Sequence, residues 1–335
     1  MKLVYVDPEM PGITRKKVSH GWGYWDAKGH RITDREEIDR LNKVALPPAY
    51  VDAWFCPSPH GHIQAVGYDA KGRKQYRYHV DFRAQRDAAK YDRLADFGRA
   101  LPLLRAHVER DLHGKPTEHD TVVAAVVRLL DVGHIRVGSE QYVKANKSFG
   151  ATTLRNRHAT LRGSKLTLQY RAKSGVMRKL TLGDRGLVRV VKKVQDLPGQ
   201  HLFQYLNDAG EPCAVGSAEV NAYIKDAMGD EFSAKHFRTW HASTIGLDTA
   251  IAACKSGGKP SIKAVAEQVS DALGNTPTIA RKSYIHPLVI DACSSELATH
   301  PLPRKTRWLS SIERALIDLL DDAGSAAKRK SSKAA

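Results

Sequence analysis

The sequence predicts an α+β protein in two parts, a small mainly-β domain followed by a larger mainly-α domain that carries a β-hairpin. Three observations lead there. The chain has 335 residues, room for roughly two domains of ordinary size. Near residues 82–90 its texture changes from Gly-, Pro-, Trp- and Tyr-rich stretches to long runs with three- and four-residue apolar spacing. Within the second part, residues 165–182 alternate as two strands around a turn.

The first domain is assigned to residues 1–83. In "GHIQAVGYD" (61–69), Ile63, Ala65 and Gly67 alternate with polar or exposed positions, the period of a half-buried strand. "DREEID" (34–39) is interrupted by Arg35 and reads as the solvated face of a helix rather than an acidic metal site. The second domain, 84–322, opens with "AQRDAAKYDRLADFGRALPLLRAHVERDL". Leu94, Phe97, Leu101, Leu104 and Val108 stand there at helical spacing, with Pro102 as a kink.

"TVVAAVVRLLDV" (121–132) reads as a buried helix. "KLTLQYRAKSGVMRKLTL" (165–182) reads as the hairpin, with Leu166, Leu168 and Tyr170 on one face and Ser174-Gly175 supplying the turn. Segments 217–228, 235–254, 261–273, 287–298 and 309–322 read as helices, the third opened by Pro260-Ser261 and closed by Gly274. Residues 323–335 end in "GSAAKRKSSKAA", which has no large apolar side chain and is expected to be a disordered basic tail.

Composition narrows the function. With 53 basic against 36 acidic residues the formal charge is +17, a field that attracts polyanions, so nucleic acid is the expected partner class. The 42 % hydrophobic and 27 % charged fractions are ordinary for a globular chain. No apolar run approaches the roughly 20 residues that span a bilayer, and no membrane partner is expected. The first twenty residues lack the apolar core of a signal peptide, which predicts cytoplasmic residence. Cys56, Cys213, Cys254 and Cys293 are far apart and form no C-x-x-C, so they are expected to be reduced and buried.

Two common routes to nucleic-acid chemistry lack their parts. There is no G-x-x-x-x-G-K-[ST] loop for a triphosphate and no D-x-D pair for Mg²⁺. The expectation is therefore chemistry with no cofactor and no metal. Metal-free phosphodiester transfer needs guanidinium forks to neutralise phosphate oxygens, a proton donor for the leaving oxygen and a side-chain nucleophile. A tyrosine nucleophile conserves the bond energy as an aryl ester, but it needs activation, since a phenol of pKa about 10 is only about 0.1 % ionised at pH 7.

Four segments meet those requirements together: "HIRVGSEQYVKANKSFGATTLRNRH" (134–158), "YRAKSG" (170–175), "KHFRTWHAS" (235–243) and "LGNTPTIARKSY" (273–284). In order and spacing the chain resembles the type IB DNA topoisomerases, and in particular their compact bacterial, poxvirus-like branch. The resemblance extends through "LPPAYVDAWFCPSPHGHIQAVGYDAKGRKQYRYH" (46–79) and covers about residues 40–295. It implies a tyrosine recombinase/type IB topoisomerase-like catalytic domain and a C-shaped clamp that closes, as a monomer, around double-stranded DNA at the nucleoid.

Carried over by position, the resemblance implies that Tyr284 is the nucleophile, that Arg136 and Arg238 bind non-bridging phosphate oxygens, and that Lys173 is general acid to the 5′ oxygen. The departure is Asn275, where poxviral and eukaryotic members have histidine. An amide donates the same hydrogen bond but cannot transfer a proton, and compensation by His241 or His286 is left open.

The residues expected on DNA are Lys71, Arg73, Lys74, Gln75, Tyr76, Arg77 and Tyr78 of "KGRKQYRYH", a mixture suited to phosphate tracking with stacking. With them are Tyr142, Lys144, Arg155, Lys235, Arg281 and Lys282 of the catalytic segments. The implied activity is removal of supercoils of either sign through a 3′-phosphotyrosyl intermediate. Two alternatives stand beside it. A tyrosine recombinase shares the late "LG-x-[ST]" motif but favours His where this chain has Lys235 and lacks the 46–79 domain. A non-enzymatic basic DNA-binding protein would use the charge alone.

Overall fold

The computed structural model describes residues 2–293 and 301–333, and the chain divides into two units, Met1–Lys90 and Tyr91–Ala335. In the first unit, β1 (Ile13–Val18), β2 (Gly21–Trp25), β3 (Val51–Phe55), β4 (Ile63–Tyr68) and β5 (Lys74–Tyr78) form one antiparallel sheet in the order β2-β1-β3-β4-β5. Helix α1 (Arg35–Lys43) lies between β2 and β3 in the chain and α2 (Val80–Asp92) follows β5. "DREEID" is the start of α1. Asp34 caps it by accepting from the Glu36 amide, Glu36 and Glu37 sit at its positive end, and only Leu41 is buried. Leu41 joins Ile13, Tyr24, Phe55 and Ala65 in the core of this unit.

β4 departs from the expected alternation. Gln64 and Val66 are buried as fully as Ile63 and Ala65, and the 58–61 loop closes over the Gln64 side chain. The Gln64 amide is satisfied there by the carbonyls of Gly61 (2.8 Å) and Pro59 (3.1 Å), which is what lets a polar side chain occupy a central strand.

The second unit contains α3 (Leu94–Asp111), α4 (His119–Gly133), α5 (Glu140–Asn146), β6 (Ala159–Arg162), β7 (Lys165–Arg171), β8 (Met177–Leu182), α6 (Arg185–Val194), β9 (Gln204–Leu206), β10 (Pro212–Ala214), α7 (Ser217–Met228), α8 (Ala234–Lys255), α9 (Ile262–Leu273), α10 (Pro277–Ser283), α11 (Pro287–Ala292) and α12 (Ser311–Lys333). α4 is apolar nearly all round, with Val122 to Val127, Leu129 and Leu130 all buried, so it forms the axis of the unit. α3 packs on it through Leu94, Phe97, Leu101, Leu104 and Val108, the stripe read from the sequence.

Several elements differ from the sequence reading. The hairpin, β7 and β8, is joined by β6 in a three-stranded sheet with β7 at its centre, and β9-β10 form a second pair. α6 was hidden by its valines, yet Leu187, Val190, Val191 and Val194 are buried at helical spacing and Asp184 caps its first turn. The helix expected over 287–298 is described as α11 to Ala292, and part of the remainder lies outside the described residues. α12 continues to Lys333, where a disordered tail from 323 was expected. Alanine, lysine and arginine are strong helix formers, and composition judged by core-forming power alone overlooks that. Cys56 and Cys293 are buried, Cys213 and Cys254 half-buried, and all four are free. Among the described residues no helix is long and apolar enough to cross a membrane.

Candidate active site

A cavity of about 320 Å³ in the second unit is lined by Arg136, Tyr142, Lys173, Lys235, Arg238 and Tyr284, with small and apolar residues between them. These side chains come from five places in the chain, and each is held by a local device.

Arg136 follows α4, which ends when His134 takes a left-handed conformation (φ 53°, ψ 26°) and turns the chain. The 136–138 segment is pinned against Gly150–Thr152: the Arg136 carbonyl accepts from Ala151 N (2.8 Å) and the Val137 carbonyl from Thr152 N (2.8 Å). A Cβ at Gly150 would lie 2.6 Å from both the Arg136 carbonyl oxygen and the Gly138 nitrogen. Gly150→Ala is therefore expected to lower stability by about 1–3 kcal/mol and to shift Arg136. Urea denaturation would register the loss of stability.

Arg238 projects from the first turns of α8 and is 4 % exposed. It donates to the His134 carbonyl (2.8 Å) and, from both terminal nitrogens, to the Leu273 carbonyl (3.2 Å each). Burial, reinforced by the nearby Arg136, lowers its pKa to about 10. Its guanidinium carbon stands 4.8 Å from the ring centroid of Tyr284.

Tyr284 caps the C-terminal end of α10. Its hydroxyl is 3.4 Å from Nη2 of Arg136. Burial raises the pKa of this phenol, but Arg238 and then Arg136 outweigh it, and the net shift is downward. The same side chain packs on the core, so its ring is structural and its oxygen faces two cations.

Asn275 lies in the turn between α9 and α10. Its backbone N–H is bonded to the Ser270 carbonyl (3.1 Å), while its side-chain Oδ1 and Nδ2 are buried with no hydrogen-bond partner among the described residues. A buried amide left unsatisfied costs on the order of 1–3 kcal/mol, a cost that a bound oxygen would relieve. Lys173 is exposed in the turn between β7 and β8, where its ammonium is 5.7 Å from the Tyr142 ring centroid.

The remaining expected contacts are distributed. Tyr142 is half-exposed and lines the cavity with Lys235. Lys144 is exposed on α5, and Arg281 and Lys282 are exposed in the last turn of α10. Arg155 is paired with Glu140 (3.2 and 3.3 Å), a carboxylate that also meets His201 at 3.0 Å.

Lys71, Arg73, Lys74, Gln75, Tyr76, Arg77 and Tyr78 belong to the first unit, on β5 and the turn before it. Tyr76 and Tyr78 stack at 5.9 Å. Arg73 and Gln75 bond Asp69 (2.7 and 3.1 Å), Lys74 pairs with Glu9 (2.5 Å) and Arg77 donates to the Ala45 carbonyl (3.0 Å).

His241 and His286 are engaged elsewhere. His241 lies 3.2 Å from Asp131 and its ring is 4.3 Å from that of His134, and His286 caps α11 by accepting from Leu288 N (3.1 Å). Among the described residues no cluster of three or more His, Cys, Asp or Glu could hold a metal. Sequence reasoning missed Arg178, whose guanidinium caps the end of α9, and the His134 carbonyl that aims Arg238. One warning existed for His134, since a glycine (Gly133) beside a residue ending an apolar run marks a helix stop.

The arrangement presents a phenol of lowered pKa beside two guanidiniums, with an exposed lysine lining the same cavity, which is equipment for attack on an oxyanionic ester. Comparison with known proteins agrees with that chemistry. Residues 79–295 match the family described as "Eukaryotic DNA topoisomerase I, catalytic core", and residues 21–69 match "Bacterial DNA topoisomerase IB, N-terminal domain".

The chain is 30 % identical over 287 residues to the DNA topoisomerase 1B of Acanthamoeba polyphaga mimivirus, covering 82 % of this chain and 85 % of the relative. To the DNA topoisomerase 1B of Vaccinia virus (strain Copenhagen) it is 24 % identical over 237 residues, covering 68 % and 71 %. Among solved structures, the XerH site-specific recombinase bound to palindromic difH substrate, in a post-cleavage complex, aligns with a TM-score of 0.35 at 18 % identity. That alignment covers 57 % of this chain and 50 % of the recombinase chain, and at that score the likeness carries no argument.

Proposed function

Because the chain belongs to the type IB DNA topoisomerases, we propose that the Tyr284 cavity cuts and reseals one strand of double-stranded DNA, and so relaxes supercoils of either sign. The observation that carries this reading is the convergence of Arg136 and Arg238 on Tyr284, which lowers the pKa of its phenol. Tyr284, having released its proton to solvent, attacks the phosphorus in line. The Tyr–O–P bond forms as the P–O5′ bond breaks.

Arg136, Arg238 and the Asn275 amide, unpartnered among the described residues, bind the non-bridging oxygens as charge builds on them, a preorganised stabilisation that usually supplies the largest share of the rate enhancement. Lys173 gives its proton to the departing 5′ oxygen, and the exposed turn that carries it leaves it free to reach a bound strand. The freed end rotates, and the 5′ hydroxyl, returning its proton to Lys173, then attacks the phosphotyrosine and displaces Tyr284 as the phenolate. The aryl ester keeps the bond energy, so resealing needs no nucleotide, and the two guanidiniums supply the positive charge that a metal ion gives in other phosphoryl-transfer sites.

The +17 charge and the basic residues of both units suit contacts to the backbone, so affinity should fall steeply with salt. The reading places the protein at the nucleoid and, in solution, as a monomer, which a sizing column checks.

The test is incubation of supercoiled plasmid in EDTA without ATP, with a denaturing gel to trap protein on the 3′ side of the nick and mass spectrometry of the linked peptide. Relaxation together with an adduct on the peptide containing Tyr284 is expected. Binding with neither would leave a basic DNA-binding protein, and an adduct without relaxation would point to strand exchange as in recombinases.

A further inference from the structure

Helix α9 ends in a manner the catalytic reading does not use. Gly274 takes the left-handed conformation (φ 61°, ψ 55°) that closes the helix, and the chain then passes through Asn275 into α10, which Tyr284 terminates. The last carbonyls of a helix have no partner within it. Here three in succession are taken by arginines: Asp271 and Ala272 by Nη1 and Nη2 of Arg178, the first at 2.7 Å, and Leu273 by both terminal nitrogens of Arg238. Two cations at the negative end of a helix are favoured electrostatically as well as by hydrogen bonding.

Arg178 belongs to β8, five residues after Lys173, and pairs across the strands with the buried Tyr170. Its side chain lies directly over the turn: a Cβ at Gly274 would be 3.0 Å from its Cδ and 3.1 Å from its Nη1. It is thus a strut from the turn end of the strand pair that bears Lys173 to the turn that bears Asn275.

We infer that Arg178 is a positioning residue for DNA cleavage, which fixes the α9–α10 turn so that the Asn275 amide meets the phosphate oxygen. The inference rests on the reading of the Tyr284 cavity as the strand-cleaving site. Arg178 does not act on the substrate. It is not among the residues that line the Tyr284 cavity and its terminal nitrogens hold two main-chain carbonyls, so its influence passes through the turn to Asn275, whose side chain has no hydrogen bond among the described residues to hold it. A displacement of about 1 Å at such a group can slow a reaction by about 10²-fold.

The experiment is single-turnover cleavage of a nicked duplex oligonucleotide that cannot be resealed, with DNA affinity and circular dichroism measured on the same proteins. The proteins are wild type, Arg178→Met, Arg178→Lys, Asn275→Ala and the Arg178→Met/Asn275→Ala pair. Arg178→Met keeps the aliphatic cover over Gly274 and is expected to slow cleavage by about 10²-fold with DNA affinity unchanged. Arg178→Lys, able to reach a single carbonyl, should fall between.

The decisive result is that the double variant cleaves no more slowly than Asn275→Ala alone. Two losses that multiply, an effect on affinity in place of rate, or cleavage at the wild-type rate would overturn the assignment. Should Arg178→Met fail to fold, the same cycle is run with Arg178→Lys. An absent adduct in wild type would instead defeat the reading of the cavity, and the role of Arg178 with it.

Discussion

Tyr284→Phe is expected to bind DNA as tightly as wild type and to form no covalent adduct at any pH. Phenylalanine keeps the ring that packs on the core and lies under Arg238, and the hydrogen bond from Arg136 that it gives up is long, 3.4 Å. The stability change should therefore stay within about 1 kcal/mol, and a protein that folds, binds and does not react isolates the chemistry. In the proposed mechanism the phenolate of Tyr284 is the nucleophile. Its pKa lies below the ordinary value because Arg238 and Arg136 overcome the effect of burial, so cleavage at limiting DNA should accelerate with pH and level off below pH about 10, the value for a free phenol.

Arg238→Ala should move that plateau upward, since it removes the larger of the two attractions that stabilise the phenolate. A pH profile under single-turnover conditions checks both. An adduct in Tyr284→Phe would transfer the nucleophile to another side chain.

Much of this site could be read from the chain because its parts carry local signals. Arg136, Lys173, Arg238 and Tyr284 lie in short motifs whose order survives in sequence, and the structure brings all four to one cavity. α4 was legible because an unbroken apolar run has few other uses. The two units differ enough in texture that β-rich and helical portions could be separated.

What escaped has a common physical origin. β6, β9 and β10 are three or four residues long, too short for alternation to register. Arg178 sits in "MRKLTL" as any strand arginine would, and only the end of α9, 93 positions on, gives it a purpose. Gln64 looked like a solvent-facing residue until a loop covered it. Each of these depends on what folds against the segment, which local pattern does not encode.

The buried cluster beneath the site is the extreme case, because its members are 26 and 208 positions apart. Arg105 donates to both oxygens of Asp131 (2.8 and 2.9 Å) and both of Glu313 (2.7 and 3.0 Å), tying α3 to α4 and α12. Glu313 also accepts from the indole of the fully buried Trp240 (3.1 Å), and Asp131 faces His241, whose ring lies tilted against that of His134, the residue whose carbonyl aims Arg238. Arg105→Met would strand two buried carboxylates. A loss of about 3–5 kcal/mol in urea denaturation is expected, whereas Arg105→Met with Asp131→Asn and Glu313→Gln should recover most of it, since removing a whole buried charge cluster is far less damaging than breaking it.

Acidification separates the contributions further. Burial raises the pKa of Asp131 and Glu313, but His241 and Arg105 at the first and Arg105 at the second more than offset it, and both lie below their ordinary values. The stability they give is complete above the unfolded carboxylate pKa of about 4 and drains away as pH falls below it. His134, held neutral by burial and by His241, has its pKa lowered to about 3. The unfolded chain takes up that proton from about pH 6.5 downward while the folded chain does not, so wild type should lose stability in two stages. In the triple variant the histidine stage should persist and the carboxylate stage should be shallower. If the carboxylate stage keeps its full slope in that variant, the acid sensitivity resides in other groups.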